Sequence, residues 1–150
     1  MFTKILCATD LNDVSSEAVK KAVQLAHQYN SQIIMLNIHE EFLSKEEMGM
    51  LRVSLDTMKA EFAKTALKAK HEMRSTIASL HAEDIDVKYL LKDGKPNKVI
   101  CEEAEKAKVD LIIMGVCDKN IISSLIFRST ASFVIEHVAI PVLVVPMKNN

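Results

Sequence analysis

The stretch Asp110-Leu-Ile-Ile-Met-Gly115 decides the fold of this chain. An uninterrupted apolar run between a charge and a glycine has the length and composition of a strand buried on both faces. A glycine at its end would free the backbone to turn sharply and come close to a ligand. From Val116 to Thr130 the pattern is a polar loop leading into a helix, and Ile140-Pro-Val-Leu-Val-Val145 is a second strand-like run. Strand, glycine loop, helix, strand is how α/β proteins build anion and nucleotide pockets.

Working back from that stretch, Lys4-Ile-Leu-Cys-Ala-Thr9 is a β-type run that ends at Asp10. Asn12, Asp13, Ser15 and Ser16 then offer helix N-caps. Ala18, Val19, Ala22, Val23, Leu25 and Ala26 recur at helical spacing and predict a helix from about Ser15 to Tyr29, ended by Asn30-Ser31. Gln32 to Ile38 reads as the second strand. Two strands joined by one helix imply a right-handed crossover and parallel pairing.

Ile85 to Leu91 is a third strand, followed by a turn at Lys92-Asp-Gly-Lys95. Pro96 suits a first helical turn, and Val99, Ile100, Ala104 and Ala107 carry that helix to about Lys108. Val109 to Met114 is strand four, a helix covers about Ser124 to His137, and Pro141 introduces strand five. The alternation predicts an α/β fold: an open, mostly parallel five-stranded sheet with helices on both faces, Rossmann-like, over a single domain spanning 1–150.

Between strands two and three, Met48, Leu51, Leu55, Met58, Phe62, Ala66, Ala69, Met73, Ile77 and Leu80 form one apolar stripe at helical spacing. A helix from Ser44 to Leu80 would reach about 45–50 Å at ~1.5 Å per residue, against ~20 Å for a typical strand. Part of it must break or overhang the sheet, and Gly49 is where a break costs least. Residues 44 to about 55 then act as a lid or pack on a partner subunit; the alternative is a loop from Glu40 to about Arg52.

Composition sets the outer limits. The chain has 150 residues, 49% of them hydrophobic and 26% charged, which is ordinary globular composition with room for a real core. A net charge of −1 gives no sign of a nucleic-acid or membrane surface, and no apolar run reaches the length of a membrane span. Met1 leads directly into the first strand with no signal-peptide pattern. Cys7, Cys101 and Cys117 show no metal spacing and read as the reduced, small apolar residues of a cytoplasmic protein. His27, His39, His71, His81 and His137 likewise show no metal-ligand spacing, and no nucleophile–base arrangement is visible. No catalytic or metal residue is therefore assigned.

The ordered set Lys4-Ile-Leu-Cys-Ala-Thr-Asp10, Met35-Leu-Asn-Ile-His39, Gly94-Lys-Pro96, Asp110 to Gly115 and Ile140 to Val145 resembles the universal stress protein family from end to end. The resemblance implies a sheet of order 3-2-1-4-5, homodimers that often pair through the last strand and, in one branch, an ATP site. That branch's motif is Gly, two residues, Gly, nine residues, Gly, then Ser or Thr. Laid on this chain it starts at Gly115 and ends at Ser129, but Asp118 and Arg128 occupy the second and third glycine positions. By the same resemblance Ala8, Thr9 and Asp10 would lie near the adenosine, and Ile38 would offer backbone contacts to the adenine. Met114 would pack beside the base, and Thr130 would extend the phosphate-binding turn.

Physical chemistry points to the same place. In a 3-2-1-4-5 order the switch point lies between strands one and four, and ligands bind beyond the carboxyl ends of such strands. Asp10 there reads either as a ribose acceptor or as a carboxylate at the next helix's N-terminus; Thr9 reads as structural. Glycines in a phosphate loop let backbone N–H groups reach phosphate oxygens. Asp118 instead sets a negative charge among them, whereas the fork of donors on Arg128 suits phosphate. The two side chains would pair and fill the phosphate space, or Arg128, Lys119 and Ser129 would hold an anion smaller than a triphosphate.

The expected function is thus a stress-response regulatory or binding protein whose nucleotide site is altered so that ATP binds weakly or not at all. An adenine nucleotide or another small phosphorylated molecule is the ligand class it admits. A slow nucleotide-hydrolysing or phosphotransfer enzyme, with Asp10 or Asp118 as the carboxylates, is the alternative, and a pure dimerisation module is the third reading. The apolar last strand would be an exposed edge unless covered, so a homodimer is expected with Val142 and Val144 at its interface.

Overall fold

The computed structural model of the protein describes residues 1–11, 13–39, 54–117 and 122–147, without the side chains of 13, 14, 117, 122–128 and 147. Its elements run β1 (Lys4–Ala8), α1 (Asp13–Tyr29), β2 (Gln32–His39), α2 (Leu55–Ser79), β3 (Val87–Asp93), α3 (Pro96–Ala107), β4 (Leu111–Cys117), α4 (Ile122–His137) and β5 (Val142–Met147). The strands form a sheet of order β3-β2-β1-β4-β5 in which every pairing is parallel. The fold expected from the sequence is the fold observed.

Strand side chains alternate between two cores, as a period of two requires. Ile5, Cys7, Ile33, Met35, Leu111 and Ile113 face α1 and α2, meeting Val19, Ala22, Met73 and Ile77. Leu6, Ala8, Ile34, Leu36, Ile112 and Met114 face α3 and α4, meeting Val99, Ile100, Ala104, Ala131 and Val134. Burial on both faces explains why β1, β2 and β4 read as continuous apolar runs rather than alternating ones. At the amino edge of the sheet the Asp110 carboxylate accepts from the Thr3 amide at 2.8 Å, the Thr3 hydroxyl at 2.6 Å and the Lys4 amide at 2.9 Å, tying the start of β1 to β4. The Thr3 hydroxyl and these amides hold the Asp110 carboxyl below the ordinary aspartate range.

Two expectations need correction. Gly115 does not end β4: it lies inside the strand, opposite Val145, and pairing continues to Cys117 beside Met147. A glycine weakens a strand interior but keeps its N–H and C=O for the ladder, so β5 carries the pairing past it. The long helix starts at Leu55 rather than Ser44, because Ser54 sits in extended geometry (φ −74°, ψ 152°) and its side chain accepts from the Thr57 amide as an N-cap. Residues 40–53, with Met48, Gly49 and Leu51, lie outside the described residues, and so does the expected lid. The overhang itself is present: Ala69, Met73 and Ile77 are buried, whereas Leu55 is 59% exposed and Met58 and Phe62 are half-buried.

One turn at the carboxyl edge is conformationally demanding. Gly94 has φ +138°, donates its N–H to the carbonyl of His39 at 3.1 Å, and would place a Cβ 2.9 Å from Val99 Cγ2. Gly94→Ala is therefore expected to destabilise the fold by about 1–3 kcal/mol, measured as a lower midpoint in chemical denaturation. An unchanged midpoint would show that the turn relaxes freely.

Candidate functional site

Beyond the carboxyl ends of β1 and β2 lies a cleft of about 590 Å³. Asp10, Leu11, Asn37, Ile38 and His39 form its sheet-side wall. Thr65, Lys68, Ala69 and Glu72 form the opposite wall on α2, where spacings of three and four put them along one flank of the helix. The middle of α2, around buried Ala69, is therefore what gives the edge a second wall. The cleft carries two carboxylates, one ammonium group and a histidine, a balance suited to a polar ligand and poor for a concentrated polyanion.

The sheet-side wall is held by a polar network. The Thr9 amide donates to the Leu36 carbonyl at 2.9 Å, extending the β1–β2 ladder beyond Ala8. The Asn37 side chain, 7% exposed, donates from Nδ2 to the Thr9 carbonyl at 2.8 Å. The Ser15 hydroxyl, on the first turn of α1, donates to Asp10 Oδ1 at 2.8 Å and lies 2.8 Å from Thr9 Oγ1. The Leu11 amide donates to Thr9 Oγ1 at 3.1 Å, and Leu11 has φ 66°, a left-handed conformation unusual for a leucine. Asp10 is thus both a member of the cleft wall and hydrogen-bonded to the first turn of the next helix.

The residues named from sequence fall into separate groups. Asp10 and Ile38 line the cleft. Thr9 is buried just beneath it, its hydroxyl engaged by Leu11 and Ser15. Ala8 and Met114, 3% and 0% exposed, are in the core facing α3 and α4. Gly115 is buried within β4; on α4 Thr130 is buried and Ser129 exposed. Arg128 lies in α4, its side chain beyond what is described, and Asp118 and Lys119 fall outside the described residues. Asn37, Thr65, Lys68 and Glu72 were not foreseen. Asn37 had a signal, a lone amide in an apolar strand; the α2 residues had none, because nothing local says where a helix stands over a sheet edge.

The two cysteines whose side chains are described are poor thiolates. Cys7 is fully buried and its thiol is pushed up to about 12 by burial. The Cys101 thiol on α3 is raised by partial burial and by Glu105 beside it. Among the described residues no three His, Cys, Asp or Glu side chains converge as a metal site requires, and no helix is long and apolar enough to cross a membrane.

A family model described as the universal stress protein family matches residues 1–146. The chain belongs to this family. A universal stress protein of Methanocaldococcus jannaschii is 29% identical over 147 residues, covering 97% of this chain and 82% of the relative. The solved structure of a universal stress protein from Lactobacillus plantarum superposes with a TM-score of 0.73 at 24% identity, covering 96% of this chain and 97% of that one. Another universal stress protein, solved in complex with cAMP, superposes with a TM-score of 0.65 at 19% identity, with 97% of each chain covered. The universal stress protein fold thus spans this chain from β1 to β5.

The burial of Cys7 has a measurable consequence. Iodoacetamide at mildly alkaline pH should leave Cys7 unmodified in the folded protein and alkylate it once denaturant is added, read by mass spectrometry of the digest. Alkylation of native Cys7 at the rate of a free thiol would mean that β1 opens.

Proposed function

We propose that this universal stress protein is a cytoplasmic, single-domain regulatory binding protein that takes an adenine nucleotide with fewer phosphates than ATP at the carboxyl edge of the sheet, from the cleft beyond β1 and β2 toward the end of β4. The observation that carries the reading is the cleft whose wall holds Asp10 and Ile38, two of the residues the family resemblance assigns to nucleoside recognition. Its volume of about 590 Å³ lies in the ordinary range for small-molecule sites. The cAMP complex of a distant family member supports an adenine ligand with one phosphate. Asp118 at a glycine position of the phosphate motif argues against three phosphates, because a desolvated carboxylate repels them. In this reading Asp10 and Ile38 meet the nucleoside, with Thr9 beneath them and Ala8 and Met114 in the core behind, and Gly115, Asp118, Arg128, Ser129 and Thr130 belong to the phosphate end.

Titration calorimetry with AMP, cAMP and ATP tests this. AMP or cAMP should bind more tightly than ATP, and restoring the glycines with Asp118→Gly and Arg128→Gly together should strengthen ATP binding about tenfold, the factor that ~1.4 kcal/mol corresponds to. Micromolar ATP binding to the unaltered chain would sink the altered-site reading. Failure of every adenine nucleotide to bind would sink the nucleotide reading as a whole.

We also infer a homodimer paired through β5. This strand lies at one edge of the sheet, and Val142, Leu143, Val144 and Val145 remain half-exposed. The other edge strand, β3, carries Lys88 and Lys92, charges that discourage edge pairing, whereas the apolar run of β5 carries none. A two-fold pairing would cover it with a closed interface. Sedimentation at tens of micromolar should give a dimer that Val144→Lys converts to monomer. A stable monomer, or a dimer indifferent to that change, would refute the pairing.

A further inference from the structure

The β1–β2 ladder stops one bond short of where its register would carry it. Gln32 donates its amide to Thr3 and Leu36 accepts from Thr9, so the even-numbered residues of β2 present their N–H and C=O groups to β1. Ile33 and His39 bond toward β3 instead, the Ile33 amide to Asp86 and the His39 carbonyl to the Gly94 amide. The next bond to β1 would run from the Ile38 amide to the Thr9 carbonyl, but the pairing ends at Ala8 beside Leu36. Asn37 Nδ2 takes the Thr9 carbonyl at 2.8 Å. Beyond Thr9 the chain turns away through Leu11 (φ 66°), whose amide goes to Thr9 Oγ1 rather than to the Ile38 carbonyl. Among the described residues the N–H and C=O of Ile38 therefore have no partner, and Ile38 lines the cleft.

We propose that Asn37 is a positioning residue that holds this ladder open: by capping the last carbonyl of β1 it reserves the backbone of Ile38 for the base of the bound nucleotide. This rests on the nucleotide reading above. A donor and an acceptor side by side on one strand edge match the Watson–Crick edge of adenine, where the ring nitrogen at position 1 accepts and the 6-amino group donates. Asn37 acts through Ile38. Without its amide the Thr9 carbonyl would be a buried acceptor lacking a donor, and the Ile38 N–H is the donor that the register places opposite it. The ladder would then close by one bond and leave the base only the Ile38 carbonyl. A buried amide in an otherwise apolar strand, 7% exposed, thus has a task that an apolar residue could not perform.

The first readout needs no ligand. In amide hydrogen exchange followed by NMR, the Ile38 amide of the parent protein should exchange at least about tenfold faster than the ladder-bonded Leu36 amide. Asn37→Leu keeps the approximate size of the side chain and removes the donor, and it should slow exchange at Ile38 by about tenfold. Asn37→Val takes its place if the leucine variant does not fold. The second readout is calorimetry with AMP and 1-deaza-AMP, which lacks the ring nitrogen. The parent should favour AMP by about tenfold; Asn37→Leu should weaken AMP by about that factor and change 1-deaza-AMP by less than about twofold, which abolishes the preference. A protected Ile38 amide in the parent, exchange at Ile38 that neither variant alters, or equal losses for both nucleotides would overturn the proposal while leaving nucleotide binding intact. Exchange as expected with no binding of AMP by the parent would remove the nucleotide reading and overturn the base as occupant.

Discussion

The double enclosure of β1 is the constraint on which the rest of the structure depends. Ile5, Leu6, Cys7 and Ala8 are all buried, with β2 on one flank, β4 on the other and helices over both faces. A strand so enclosed must be parallel to both neighbours, because each is reached through a helical crossover. One crossover leaves β1 on the α1 side and the chain returns to β4 from the α3 side. The carboxyl ends of β1 and β4 are therefore where connections part to opposite faces, and the gap they leave belongs to the topology rather than to any single residue.

The neighbouring carboxyl ends of β1 and β2 are polar, and their polarity is controlled. Asn37, Thr9 and Ser15 are buried side chains at the edge of an apolar sheet, and among the described residues no buried side-chain nitrogen or oxygen lacks a hydrogen-bond partner. Satisfying these groups internally turns a costly set of buried polar atoms into a rigid frame for Asp10. The amino edge uses the same device for a different purpose: the Asp110 carboxylate binds Thr3 and Lys4 and sets the register of β1 against β4. One edge of the sheet is thus fastened shut, while the other is braced and left open toward α2.

The overhang of α2 links architecture to this site. Helix α2 is 25 residues long, about 37 Å at ~1.5 Å per residue, while β2 beside it has 8 residues, about 26 Å at ~3.3 Å each. Only the second half of the helix finds sheet to pack on, through Ala69, Met73 and Ile77. Around Thr65 to Glu72 it stands beside the strand ends, and there its polar side chains face Asp10 and Ile38 across the cleft. A helix longer than its sheet is a small mismatch in packing, and here it supplies one wall of a pocket.

The order and type of the elements were legible in the sequence, because apolar runs on buried parallel strands and three-to-four spacing on helices are imposed locally by burial. The 3-2-1-4-5 order and the family came from five short segments in sequence order rather than from any one of them. That Asp10 stands at the carboxyl edge was legible because strand ends are readable, whereas Ile38, which lines the same cleft, came from the family resemblance. The end of β4 was not, since whether Gly115 terminates a strand depends on how far β5 runs beside it. The start of α2 was equally hidden, because the apolar stripe runs through Ser54 without a break and only backbone geometry reveals the cap. Tertiary structure alone decided that Lys68 and Glu72 face the strand ends, and that Leu11, Thr9, Ser15 and Asp10 form one hydrogen-bonded network. Local pattern reports which face of an element is buried; the partner of a buried polar group depends on neighbours that only the folded chain brings within about 3 Å of one another.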